Sequence, residues 1–441
     1  MQCLIIAAGQ GKRLAARGDS KPLVALLGLS LIERVILSAQ ESGLHDFYVV
    51  TGYNSEKVEA FLEKLGRERG LKITTIVNEE WDRENGLSVL KAKPLLTGNF
   101  VLLMVDHLFD PAILQQLQQQ PLQEDEVILA VDERVQDNPF VDMADVTKVY
   151  IQQDRIRDIG KHIPLYNAYD TGIFLCSPAI FSALETSMAT RNDSSLSGGI
   201  KVLAEKGCVK PFPIGQRFWI DLDDEAALHK AETVLLDQLR KPSDGPVSRY
   251  INRPISTRIT RYLVQRDISP NQISVLSFLL SLLASLFFFL GSDMARIAGA
   301  ICTQISSIID GCDGEVARLK HRQSDFGKWF DAVLDRYADG FLLSGLTYYA
   351  LLARGDLLPF YIGFLALIGS FVNSYTADKY DGLMRRRLGP RQDPFRIGRD
   401  IRLFLIFIGA LLNSILLTLL CLALLMNLEN IRRVVLCYRH A

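Results

Sequence analysis

Between two long apolar stretches the chain carries Asp310-Gly-Cys-Asp313-Gly-Glu-Val-Ala-Arg318, followed by Gly327, Asp331 and Asp335. On a helix, Asp310, Asp313 and Ala317 recur at i, i+3 and i+7 and so share one face. Gly327, Asp331 and Asp335 step by four and share a face of the next helix. Turned towards each other, two such faces make a cage of carboxylate oxygens, the donor set of a hard cation such as Mg²⁺, with Mn²⁺ as the alternative. A charged side chain at helix centre in lipid costs roughly 2.5–3.5 kcal/mol, so four acids imply a metal or a partner. Gly311, Gly314 and Gly327 strip side chains from the same surface, which lets a ligand approach the backbone. The bland alternative, a solvated loop whose acids pair with Arg318 and Arg336, leaves the whole spacing to accident.

A second set of chemically capable residues lies near the start. The apolar run Cys3–Ala8 ends in Gly9-Gln-Gly11-Lys12-Arg13-Leu14, and Ser20-Lys21-Pro22-Leu23 follows. Glycines there let backbone N–H groups face a phosphate, and Lys12 and Arg13 add charge. The stretch is neither a dinucleotide fingerprint, since Leu14 stands at the third glycine position, nor a P-loop, since no Gly-Lys-Ser/Thr follows. Val101–Val105 is a buried run ending in Asp106, and Asp221 sits in Trp219-Ile-Asp-Leu-Asp223. An acid at the carboxyl end of a central strand is where open α/β sheets bind ligands, although a strand-end cap has the same signature.

The elements that must position these residues divide the chain. Residues 1–240 read as soluble: short buried strands such as Phe47–Thr51 and Ile73–Val77 alternate with helical patterns, which predicts a doubly wound, largely parallel α/β sheet. Residues 225–240 close that domain with a periodic helix. Residues 241–270 hold a breaker-rich linker, Lys241–Pro246, and then Arg249, Arg253, Arg258, Arg261 and Arg266 interleaved with apolar residues, the pattern of an amphipathic helix in the headgroup plane. Residues 271–441 contain six apolar stretches (about 272–290, 296–319, 328–353, 357–383, 400–413 and 415–436), which predicts an all-α six-helix transmembrane domain. The fifth stretch is short and must extend at its basic end to span.

Basic residues set the orientation. They precede the first span, follow the second (Lys320, Arg322), crowd the segment after the fourth (Arg385, Arg386, Arg387, Arg391, Arg396, Arg399, Arg402) and recur in the tail. The intervening turns carry only Arg296 and Arg354. Both termini and the soluble domain are therefore expected in the cytoplasm of a multi-pass cell-membrane protein. A formal net charge of −1 argues against a nucleic-acid partner. The seven cysteines form no C-x-x-C pair and predict neither a disulfide framework nor a zinc site. Met1–Ala8 runs straight into a strand, so no secretory signal is expected.

The pattern D-x2-D-G-x2-A-R-x8-G-x3-D-x3-D, filled here by residues 310–335, resembles the signature of the CDP-alcohol phosphatidyltransferases. That resemblance implies a six-helix membrane enzyme, usually a homodimer. Asp310, Asp313, Asp331 and Asp335 would hold metal ions, and Asp335 would be the general base. Gly314, Ala317, Arg318 and Gly327 would lie against the nucleotide of a CDP-alcohol, from which CMP is displaced by a second alcohol. Apart from the resemblance, Lys379 and Asp381 lie near the cytoplasmic end of the fourth span and with Arg258 could grip an acceptor phosphate, with snorkelling to the membrane surface as the alternative for the arginines.

The first set resembles the sugar-phosphate nucleotidyltransferases, whose A-x-G-x-G-x-R-L and K-P-L elements embrace a nucleoside triphosphate; Ser20 stands where that family often has Pro. The resemblance implies nucleotide contacts from Ala8, Gly9 and Gly11, catalytic roles for Arg13 and Lys21, and metal ligation by Asp106 and Asp221. Asn85, Ser88, Lys148, Lys161 and Asp170 fall where that family holds the alcohol phosphate. The fusion as a whole resembles bifunctional enzymes that make CDP-inositol from CTP and inositol 1-phosphate, then pass it to a second inositol phosphate. A lipid donor or acceptor, or another alcohol phosphate (glycerol, choline, ethanolamine), is the alternative.

Overall fold

The computed structural model describes the chain except for residues 137, 139, 144, 242–243, 385–396 and 440–441, so the arginines expected after the fourth span lie outside the described residues up to Arg396. The chain separates into two compact units, Met1–Val234 and Leu235–Ala441.

In the first unit, strands β1 (Gln2–Ala7), β2 (Asp46–Thr51), β3 (Lys72–Val77) and β4 (Phe100–Met104) pair in parallel in the order β3-β2-β1-β4. The connections put β2 and β3 on one side of β1 and β4 on the other, so the winding reverses between β1 and β4. Their carboxyl ends open the crevice in which open α/β sheets bind ligands. Beyond β4 the sheet departs from the expected, largely parallel form. The nine-residue strand Ala168–Cys176 runs antiparallel to β4 and also pairs with Val127–Asp132 and Lys148–Gln152. A two-stranded ribbon, β5 (His107–Phe109) and β6 (Trp219–Asp221), lies off this sheet, with Asp221 opposite His107. Both faces of the main sheet are covered by buried aliphatic clusters, as the continuous apolar strands require.

The second unit is helical. Six helices occupy the six apolar stretches: α1 (Pro270–Phe289), α2 (Asp293–Leu319), α3 (Asp325–Arg354), α4 (Leu358–Lys379), α5 (Arg399–Leu411) and α6 (Ile415–Arg439). Among the described residues, α1, α4 and α6 are long and apolar enough to cross a membrane by length and composition. α2 and α3 are longer but carry the acids. α5, at 13 residues, is about 20 Å long and short of a ~30 Å hydrocarbon core.

The start of α1 is written locally: Ser269 and Gln272 form a reciprocal capping box and Pro270 fills the first turn, where a missing N–H costs nothing. α3 starts on Ser324, whose hydroxyl accepts from the N–H of Gly327 at 3.0 Å. Before α1 lies a short helix, Arg253–Leu263, whose Ser256 and Thr260 are buried while Ile255 and Tyr262 are exposed.

Candidate active sites

The first site is built where the sheet's winding reverses. Gly11 follows β1 with φ +69°, and a Cβ there would lie 2.5 Å from Cβ of Lys21, so glycine makes the space that Lys21 fills. Lys21 is buried and reaches Asp106 Oδ2 at 2.5 Å and Asp223 Oδ1. Arg13 is half exposed and bridges Asp145 (2.6 Å) and Asp223 (2.7 Å). The β5–β6 ribbon brings the two expected metal ligands together: the N–H of Leu222 donates to the carbonyl of Asp106 at 2.9 Å, and oxygens of Asp106 and Asp221 lie with a nitrogen of His107 within 4.8 Å.

Charge is concentrated here. Burial pushes the Asp221 carboxyl up to about 7, aided by the like charges of Asp106 and Asp223 and opposed by His107 and Lys21. Burial alone would raise Asp106, but Lys21 and His107 hold it below the usual carboxylate range. Burial would lower His107; Asp221 and Asp106 hold it above its ordinary value. Burial raises Asp170 to about 6. Acids that repel one another at a shared point form a donor set suited to a divalent cation.

The expected sugar-side residues divide. Asn85, Lys161 and Asp170 line a cleft of about 430 Å³ with Asp106, Asp221 and Asp223. Asn85 also accepts from the N–H of Leu196 at 2.9 Å, and Lys161 is paired with Asp145. Ser88 is buried away from this lining, its hydroxyl accepting from Asn78 Nδ2 at 3.0 Å, and Lys148 lies over the ring of Tyr166, 5.1 Å from its centroid. Ala8 is buried and its carbonyl accepts from the N–H of Tyr53 at 3.0 Å, whereas a side chain on Gly9 would meet open space.

The second site is carried by α1, α2 and α3. Oxygens of Asp310, Asp331 and Asp335 lie within 4.8 Å of one another. Asp313 joins from the next turn of α2 and accepts from Ser274 at 2.5 Å, while Ser277 donates to Asp310 at 3.0 Å. These two serines belong to a buried stripe on α1, Ser274, Ser277, Ser281 and Ser285, whose small side chains let α1 lie close to its neighbours. Arg399 enters from α5, its Nη1 3.0 Å from Asp310 and 2.6 Å from Asp335 and its Nε 3.2 Å from Asp339. Arg336 adds a 3.6 Å contact to Asp335, and Arg402 satisfies Asp339 at 2.9 Å. The four carboxylates outnumber the guanidinium groups of Arg399 and Arg336 in ion-pair contact with them. The donor set fits a divalent ion.

Gly314, Ala317 and Gly327 are half-buried on the same helices. Arg318 donates to the carbonyl of Leu239 at 3.3 Å. Arg258 is exposed and lies outside the 250 Å³ cleft that runs beside Asp310 and Arg399; Arg253 lines it instead. Lys379 is exposed, 5.6 Å from the centroid of Tyr375.

Arg253 also ties the short helix to α2. It pairs with Asp244 at 2.9 Å and with the fully buried Glu315 at 2.5 Å, and Ser256 (2.6 Å) and Thr260 (2.7 Å) donate to the same carboxylate. Removing one partner of a buried ion pair typically costs about 3–5 kcal/mol. Arg253→Ala is thus expected to lower the melting midpoint of the helical unit in detergent by several degrees, whereas Arg258→Ala should leave it within experimental scatter. Equal midpoints for the two variants would remove this anchor.

Asp223, His107, Asp145, Arg399 and the α1 serines also build the two sites, although the motifs assign them no site role. Asp223 is the second acid of the W-x-D-x-D element and His107 adjoins Asp106, so both carried a signal; the serines recur at three- and four-residue spacing inside an apolar span. Asp145 and Arg399 come to their sites through tertiary structure alone.

Comparison with known proteins agrees with this division. A MobA-like NTP transferase domain matches residues 3–184 and a CDP-alcohol phosphatidyltransferase domain matches residues 267–427. A protein of Rubrobacter xylanophilus named bifunctional IPC transferase and DIPP synthase is 36% identical over 97% of this chain and 94% of its own. One of the same name from Aquifex aeolicus is 32% identical over 99% of this chain and 98% of its own. The solved inositol-1-phosphate CTP transferase from T. maritima is 26% identical, with a TM-score of 0.48, over 53% of this chain and 94% of that one. With a relative this similar along almost its whole length, the chain belongs to the family of bifunctional IPC transferases and DIPP synthases.

Proposed function

We propose that the chain is a bifunctional enzyme that joins two inositol phosphates through a cytidine-activated intermediate. In the first unit CTP and inositol 1-phosphate give CDP-inositol and diphosphate. In the second, CDP-inositol and a second inositol phosphate give di-myo-inositol phosphate phosphate and CMP. The observation that carries this reading is the presence of two separate acid clusters, one beside Lys21 and Arg13 and one on α2 and α3, in a chain whose relatives bear both activities in their name.

In the first site Lys21 and Arg13 supply positive charge for the triphosphate oxygens as charge develops at the α-phosphorus. Asn85, Lys161 and Asp170 hold the inositol phosphate in the cleft. In the second site Asp310, Asp313, Asp331 and Asp335 would hold the metal, and Asp335 takes the proton of the attacking hydroxyl, with Arg399 fixing its orientation. Small residues at Gly314, Ala317 and Gly327 leave room for the nucleotide. When bound at either site, Mg²⁺ or Mn²⁺ neutralises diphosphate oxygens and acts as a Lewis acid. We further read the helical unit as a six-helix, multi-pass membrane domain that dimerises, with α1, α4 and α6 crossing fully, the helix Arg253–Leu263 lying in the headgroup plane, and both termini cytoplasmic.

Purified protein incubated with CTP, Mg²⁺ and a panel of alcohol phosphates should consume inositol 1-phosphate and yield a water-soluble product whose mass matches the doubly phosphorylated diester. Chelation by EDTA should stop both half-reactions, and added Mg²⁺ should restore them. A product that partitions into organic solvent, or preference for another alcohol phosphate, would replace this reading.

A further inference from the structure

His107 is the one residue of the first site's acid cluster that is not an acid. The antiparallel register of β5 and β6 sets it opposite Asp221. Its Nδ1 lies 2.6 Å from the carbonyl oxygen of Thr171. A carbonyl only accepts, so Nδ1 carries the proton, and in the neutral ring Nε2 keeps its lone pair. That nitrogen faces Asp106 Oδ1 at 3.8 Å and Asp221 Oδ2 at 3.6 Å. Ligands at bonds of ~2.1 Å sit about 3.0 Å apart in cis and about 4.2 Å in trans, so one divalent ion can span this set.

The oxygens are free to take part. Lys21 engages the other oxygen of Asp106, Oδ2. Asp221 Oδ1 is sequestered from solvent with no hydrogen-bond partner among the described residues. The imidazole is also held in place. Trp219 stacks on it with centroids 6.0 Å apart and planes at 26°, and Gly172 (φ +71°) leaves the room that any side chain would take from the ring. A histidine whose far nitrogen is pinned by a backbone carbonyl is the usual arrangement of a metal-bound imidazole.

We propose that His107 Nε2 is the third protein ligand of the divalent ion held by Asp106 and Asp221, making an N,O,O site that shifts preference from Mg²⁺ towards first-row transition ions such as Mn²⁺ and Co²⁺. Imidazole nitrogen suits those ions better than an all-oxygen set does, which is the physical basis of the shift. The proposal rests on reading the cleft as the cytidylyl-transfer site.

Its test is electron spin-echo spectroscopy of Mn²⁺ bound to the full-length protein in detergent. The second site is all-oxygen, so a ¹⁴N coupling from directly bound imidazole reports the first site alone. Wild-type protein should show that coupling, and protein grown with ¹⁵N-histidine should show it converted to the ¹⁵N pattern, which requires no variant to fold. His107→Gln should lose the coupling and weaken binding of one Mn²⁺ by about tenfold or more, the least expected when even an outer-shell partner is worth 10–100-fold. Bound Mn²⁺ without nitrogen coupling, or coupling that survives in His107→Gln, overturns the assignment: the ring is then an ion-pair partner of the two acids. Asp106→Asn separates the levels. If one equivalent of Mn²⁺ disappears with that variant while the wild type shows no nitrogen coupling, the ion is in the cleft and only the third ligand is wrong. If Mn²⁺ stoichiometry is unchanged by Asp106→Asn, the reading of the cleft itself fails and takes the inference with it.

Discussion

Asp331→Ala is expected to depress transfer from supplied CDP-inositol by about a thousandfold or more, while formation of CDP-inositol from CTP continues. The size follows from what a carboxylate in the cluster does. Metal-based charge stabilisation at a reacting diphosphate is worth several kcal/mol, and about 4 kcal/mol corresponds to a factor of roughly 10³ in rate. Asp331 is the informative choice. Asp310 and Asp335 are both in contact with Arg399, so removing either would also release a buried guanidinium. Selectivity follows from the build of the molecule, because every acid of the second cluster comes from α2 or α3. Supplying CDP-inositol directly and reading CMP release isolates the step. A folded Asp331→Ala protein that retains transfer, or that loses both activities together, would rule out this division of labour.

The two sites were legible in the sequence to different depths, for physical reasons. Asp310, Asp313, Asp331 and Asp335 were readable because helix periodicity alone puts them on facing stripes, and lipid makes unsupported acids too costly to be incidental. Asp106 and Asp221 were readable only as strand-end acids. What joins them is the β5–β6 ribbon, a pairing of segments more than a hundred residues apart that no local pattern encodes. The sheet was expected to be largely parallel because its first strands alternate with helices; the antiparallel strand Ala168–Cys176 also reads as an apolar run, and periodicity does not carry direction. Ser88 had turn-like neighbours and a hydroxyl, yet burial gives that hydroxyl to Asn78. Arg399 appeared as one of many basic residues in a loop, and its place among three aspartates depends on how α5 packs. Asp145 reaches Arg13 across 132 residues of chain, a separation that hides it from any motif.

Lys21→Ala is expected to show the mirror image, with CDP-inositol formation reduced by about 10²–10³-fold and transfer from supplied CDP-inositol preserved. Loss of one preorganised donor to developing charge typically costs about 2.7–4 kcal/mol, which sets that range. Burial makes Lys21 a stronger case than Arg13. The Lys21 side chain is 9% exposed and wedged between Asp106 and Asp223, whereas the Arg13 side chain is 53% exposed and solvent screens its pairs. Burial would lower the Lys21 ammonium, but Asp106, Asp223 and Asp221 hold it above the ordinary lysine value, so it stays charged across the working pH range. Lys21→Arg keeps the charge, but the space opened by Gly11 was shaped around an aliphatic stem, so partial activity is expected from it. Arg13→Ala should lose less than Lys21→Ala in the same assay. If Lys21→Ala leaves the rate of diphosphate release within threefold of wild type, the buried ammonium serves only to balance Asp106 and Asp223, and the triphosphate must be met by other residues.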